Sequence, residues 1–160
     1  MVTRSDSCAQ ILLAEDNPAC QYVALAMLLR LGHKADTVNN GLKVLEALKR
    51  KNYALVLMDI AMPLMDGIAA TQEIRRSFPP SEQPKIVAYI AYDLPEVRKK
   101  CLEAGMDDYI IKPVRLNELQ AMLMKCSIET DPKRITKNSW LTHNERFPFN
   151  LQPKLSQFRL

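Results

Sequence analysis

The chain has 160 residues, 48% of them hydrophobic and 25% charged, the size and composition of one globular unit. No window approaches the roughly 18 uninterrupted apolar residues of a membrane helix, and the opening MVTRSDSCAQ lacks the apolar core of a secretory signal, so the expectation is a cytoplasmic protein without a membrane anchor. The net charge of +4 is uneven, with 16 Lys and Arg against 15 Asp and Glu in residues 1–126 and 6 against 3 in residues 127–160; so small an excess argues against nucleic-acid binding.

Short apolar runs alternate with segments of helical period. QILLA (10–14) reads as a first strand, followed by a helix over 19–31 whose stripe Val23, Met27 and Leu31 is expected to face the core. Gly32 after LLRL suits the left-handed residue that closes a helix. KADTV (34–38) is the second strand, and a helix over 41–51 presents Val44, Leu45 and Leu48 to the core. YALVLM (53–58), a helix over 67–77, and KIVAYIA (85–91) come next. In DLPE, Asp93 can cap a helix over 95–104, with Glu96 reaching back and Pro95 tolerated in the first turn. Gly105 closes that helix, and DYIIK (108–112) and a helix over 116–126 complete the pattern. Five strands alternating with five helices predict an α/β fold, a doubly wound five-stranded parallel sheet with helices on both faces.

Residues 127–160 differ in kind. They hold Pro132, Pro148 and Pro153, no clear period, Trp140, and three of the four phenylalanines, Phe147, Phe149 and Phe158. They read as a basic, flexible tail, with NERFPFNLQPKLSQF as a partner-binding strip the alternative. Cys8, Cys20, Cys101 and Cys126 show no metal or redox spacing and read as reduced thiols. His33 and His143 read as solvent-exposed bystanders.

In a doubly wound sheet the strand C-termini share one edge, where ligands bind. Asp59 ends the oily run in ALVLMDIAMPLMDG; it could simply open a turn, or be a reactive group. Glu15 and Asp16 follow the first strand and Lys112 follows the fifth. If strands one, three, four and five are neighbours, three carboxylates and one ammonium converge. Clustered carboxylates suit a hard divalent cation, magnesium best, and the ammonium suits phosphoryl charge. A carboxylate beside a metal-bound phosphoryl donor can attack phosphorus and form an acyl phosphate.

ILLAEDN, LVLMDIAMPLMDG and AGMDDYIIKPV resemble, in order and placement, the receiver domain of two-component response regulators over residues 9–126. The resemblance implies a flavodoxin-like strand order 2-1-3-4-5. It implies Asp59 as phosphoryl acceptor, supplied by a phosphohistidine on a histidine kinase or histidine phosphotransfer protein. Asp16, Asp59 and the backbone carbonyl of Ala61 would ligate Mg2+, with Glu15 acting through water. Lys112 would pair with the phosphoryl group, the Lys112–Pro113 peptide would be cis, and Pro63 and Gly67 would shape the loop after the acceptor. ILLAEDN with LGHKAD and MDGIAAT is closest to receivers attached to hybrid sensor histidine kinases. The chain would then relay phosphate or regulate a downstream protein target by docking.

One position departs from the family pattern. Receivers usually carry Thr or Ser at the end of strand four, whose hydroxyl bonds the phosphoryl oxygen; VAYIAY places Ile90 there, while the aromatic partner is present as Tyr109. A hydrogen bond to a charged oxygen contributes about 1.5–3 kcal/mol, so its loss leaves the chemistry in place but weakens the conformational switch, by tenfold or more. Tyr89 and Tyr92 are the neighbouring hydroxyls that could substitute, and which points inward is open. Two other readings compete. A pseudo-receiver would bind partners without phosphorylation. A phosphatase with an aspartyl intermediate would need an acid where Ala61 stands. The 34 residues after 126 are too few for a DNA-binding module, and no separate catalytic domain is expected.

Overall fold

Unbroken apolar runs form strands only where both faces of a sheet are covered, and the computed structural model, which describes residues 10–128, has that arrangement. The elements are β1 (Ile11–Ala14), α1 (Pro18–Arg30), β2 (Ala35–Val38), α2 (Gly41–Arg50), β3 (Leu55–Asp59), α3 (Gly67–Ser77), a 3-10 turn (Pro80–Glu82), β4 (Lys85–Ile90), α4 (Pro95–Glu103), β5 (Asp108–Ile111) and α5 (Leu116–Lys125). All strand pairs are parallel, in the order β2-β1-β3-β4-β5. The α/β class and the strand order stand as the sequence implied. The tail expected beyond residue 126 falls, from 129 onward, outside the described residues, as do Cys8 and His143.

Alternation along each strand divides the core in two. Ile11, Leu13, Leu55, Leu57, Val87 and Ile110 pack with Ala24 and Leu28 of α1 and Leu119 and Leu123 of α5. Leu12, Val56, Met58, Ile86, Ala88 and Ile90 pack on the other face with Val44 and Leu48 of α2, Ala70 and Ile74 of α3, and Cys101 of α4. Each Leu, Ile, Val or Met among these contributes about 1.5–3 kcal/mol by leaving water. The edge strand β2 is only partly covered, which fits its more polar sequence ADTV.

Helix starts are capped by side chains the sequence supplies. Asn17 accepts from the amides of Ala19 and Cys20, Asn40 from Lys43, and Asp66 from Ala69. Helix α4 corrects one expectation: its cap position is Leu94, without a side-chain hydrogen bond, and Asp93 instead forms an ion pair with Arg98 one turn on. An acid that finds a guanidinium in reach gains more from the charge than from one amide.

Helix α1 corrects another. Val23 is exposed, and the inward face is Ala24, Leu28 and Leu31, with Met27 only partly covered. The helix PACQYVALAMLLR has one charged residue, so apolar period alone gives its inward face no polar counterpart. His33 is the third correction, buried at 4% exposure. Gly32 (φ 85°) closes α1 with its amide on the Leu29 carbonyl, and the His33 amide then bonds the Leu28 carbonyl. That pair of bonds is a Schellman turn, which carries the following residue inward.

Candidate functional site

The C-terminal edge of the sheet gathers the charged residues. β1 runs into Glu15 and Asp16, β3 ends on Asp59, and β5 runs into Lys112, so the order β1-β3-β4-β5 puts all four above neighbouring strands. Glu15, Asp16 and Asp59 each bring one carboxylate oxygen to within 4.8 Å of the others. Lys112 Nζ donates to Glu15 Oε2 at 2.5 Å and to Asp59 Oδ2 at 2.8 Å. Glu15 is 1% exposed and Asp59 6%, whereas Asp16 faces solvent.

The two buried acids are held from their own backbone neighbourhoods. Asp59 Oδ1 accepts from the Ala61 amide at 3.0 Å, Glu15 Oε1 from the Asn17 amide at 3.0 Å, and the Glu15 carbonyl from Gln21 Nε2 at 2.5 Å. Gly67 is required by contact: a Cβ there would lie 2.2 Å from the Asp59 carbonyl oxygen. The α3 helix therefore starts directly against the end of β3, and its Gly67 amide bonds the Ile60 carbonyl. The Lys112–Pro113 peptide is cis.

The electrostatics follow from this crowding. Burial pushes the Glu15 carboxyl up from its ordinary value, against the hydrogen bond from Lys112, and the nearby Asp59 charge adds to the rise. Burial pulls the Lys112 ammonium down, but its bonds to Asp59 and Glu15 outweigh that and leave it above the usual lysine value. The lysine is thus a firm cation facing three acids. One positive charge against three carboxylates leaves room for a hard dication with oxygen ligands, and the donor set is of that kind.

Ile90 and Tyr109 lie on the opposite sheet face from Tyr89, in the core shared with α4. The Arg98 guanidinium stacks on the Tyr109 ring at 4.9 Å. Of the two neighbouring hydroxyls named as substitutes, Tyr92 is 74% exposed and Tyr89 is buried beneath Lys112. The contact of Tyr89 with Lys112 is a feature that the sequence did not signal: it depends on β3 and β4 pairing Asp59 with Tyr89.

The chain has recognisable relatives among known proteins. Residues 11–124 match the response regulator receiver domain family. The chain is similar to a histidine protein kinase of Candida albicans, 41% identical over 125 residues, and to a probable histidine kinase of Oryza sativa subsp. indica, 35% identical over 151. These matches cover 72% and 76% of the chain but only 5% and 16% of the relatives, so the chain spans a small part of their length. Among solved structures it resembles the receiver domain of a sensor histidine kinase from Pseudomonas aeruginosa, at 40% identity and a TM-score of 0.67, covering 73% of this chain and 95% of that one; that structure has a magnesium ion coordinated in its active site cleft. Among the described residues no helix is long and apolar enough to cross a membrane, and the elements make up one five-stranded α/β unit. With the match running across most of the chain and the acids gathered at the sheet edge, the chain belongs to the response regulator receiver domains of two-component and phosphorelay signalling.

Proposed function

We propose that the chain accepts a phosphoryl group on Asp59 from a phosphohistidine of a histidine kinase or histidine phosphotransfer protein, and that it relays the group or alters the binding of a downstream protein. The observation that carries this reading is Lys112 Nζ bridging Asp59 and Glu15 beside an acid trio within 4.8 Å. Asp16, Asp59 and the Ala61 carbonyl would hold Mg2+, with Glu15 acting through water. Bound there, the ion would offset carboxylate charge and polarise the phosphoryl oxygens.

An Asp59 carboxylate oxygen attacks phosphorus as the phosphorus–nitrogen bond of the phosphohistidine breaks, and the electron pair of that bond leaves with the imidazole. The third N–H of Lys112, beside those given to Glu15 and Asp59, then donates to a phosphoryl oxygen, where the charge has gone. Glu15 keeps the ammonium anchored during this step. Hydrolysis of the acyl phosphate returns the free carboxylate, so the chain's own chemistry is confined to gaining and losing this group.

Ile90 supplies no donor for the new phosphoryl oxygen, and the reading includes a weak conformational response for that reason. A pseudo-receiver that binds partners unphosphorylated is the second reading, and Ile90 is the observation that favours it. Incubation with acetyl phosphate and magnesium separates them by intact-mass measurement. We expect a gain of one phosphoryl group in the wild type and none in Asp59→Asn; an unchanged wild-type mass would establish the pseudo-receiver.

A further inference from the structure

We infer that Tyr89 is a positioning residue for the reaction proposed above: its ring holds the Lys112 ammonium beside Asp59 while leaving an N–H donor of that ammonium open for the phosphoryl group. The inference rests on that reading of Asp59 and Lys112. Tyr89 sits opposite Asp59 in the β3–β4 register and is buried on the α1 and α5 side of the sheet. Lys112 Nζ lies 4.6 Å from the centre of its ring.

An ammonium has three N–H donors. Lys112 directs one to Glu15 and one to Asp59, which leaves the third for an incoming oxygen. A carboxylate or hydroxyl in contact with the ammonium at the Tyr89 position would engage that third donor, and an aliphatic side chain would offer no attraction. A π face attracts the cation through its quadrupole and engages no single N–H. Tyr89 and the neighbouring Ile90 project to opposite sheet faces, so the ring, and not a hydroxyl replacing the missing one, is the working part.

The test compares Tyr89→Phe, which keeps the ring, with Tyr89→Leu and Tyr89→Met, which do not. In the metal-free protein, ring current should move the Lys112 ε-methylene resonances upfield in the wild type and in Tyr89→Phe, and the shift should vanish in Leu and Met variants whose amide spectra remain native. With acetyl phosphate and magnesium, the rate of Asp59 phosphorylation should stay within about twofold of wild type in Tyr89→Phe and fall about three- to tenfold in Tyr89→Leu. Should Leu disrupt folding, the Met variant decides. A Leu or Met variant with wild-type rate, or a Phe variant as slow as Leu, overturns the positioning role. Failure of the wild type itself to gain phosphate overturns instead the reading of the site, and is thereby told apart.

Discussion

Leu64 illustrates what single residues contribute around the acceptor. It has φ of 66° and lies between Pro63, whose carbonyl accepts from the Met65 amide at 2.7 Å, and Met65, so it is the centre of a γ-turn. Left-handed backbone costs an L-residue about 1–2 kcal/mol, and a side chain 84% exposed recovers little of that by packing. The turn aims the Met65 carbonyl at the Gly41 amide (2.8 Å) and delivers Asp66 to the start of α3. Leu64→Asn, which tolerates the left-handed region, should stabilise the domain by about 0.5–1 kcal/mol, read as a higher urea midpoint at unchanged slope. An unchanged or lower midpoint would show that the loop is not strained. Residue by residue, the acids and Lys112 were legible because each sits at a strand end, and strand ends are visible in the sequence. Tyr89 was not, because its meaning comes from cross-strand register and from a side chain reaching over from β5.

Elements are joined by small polar clusters, and one of them makes stability depend on pH. Asp36 of β2 accepts from Lys51 after α2 and from the Tyr53 hydroxyl before β3, both at 2.7 Å. The bond from Lys51, then that from Tyr53, holds the Asp36 carboxyl below its ordinary 3.8. Burial first, then the bond to Asp36, pushes the Tyr53 hydroxyl from 10.0 up to about 12. A depressed carboxyl contributes stability above its unfolded value, lost as pH falls through the folded one; a raised phenol contributes stability below its unfolded value, lost as pH rises through the folded one. The wild type should therefore lose urea resistance between pH 10 and 12 more steeply than Tyr53→Phe, and its advantage over Asp36→Asn should shrink below pH 3.8. Because the Asp36 side chain is 52% exposed, the acid-side effect should be the smaller. Parallel profiles for wild type and Tyr53→Phe would refute the linkage. Helix ends also explain a missed residue. Gly32, Gly105 and Ser127 all have positive φ, and each closes a helix with the same pair of backbone bonds, after which His33, Met106 and Ile128 are all buried. The glycines were legible; that the next residue turns inward whatever its polarity was not, nor was Ser in the third such position. Ile128 extends the packed unit beyond the expected limit at residue 126.

At the scale of the whole molecule the question is how an event at Asp59 reaches a surface. Ile90 stands between the two: its carbonyl accepts from the Lys112 amide at 2.7 Å, and its side chain is buried in the core that Val97 and Tyr109 pack against. Beyond it, Arg98 of α4 stacks on Tyr109 of β5 and pairs with Asp93, so one guanidinium links α4, β5 and the loop between β4 and α4. In the unphosphorylated protein an aliphatic side chain is the better occupant, since a hydroxyl there would be buried without a certain partner. Ile90→Thr should thus cost about 1–3 kcal/mol of resting stability. With the proposed acyl phosphate at Asp59 the balance should reverse, because a hydroxyl bonding a charged oxygen would contribute about 1.5–3 kcal/mol to one conformation only, enough to shift a two-state population by tenfold or more. The variant should therefore unfold at lower urea when unphosphorylated, yet show larger amide shifts across α4, β5 and α5 than the wild type when an acyl-phosphate mimic is added with magnesium. Equal shifts in the two proteins would mean that the signal leaves Asp59 by a route that does not pass residue 90.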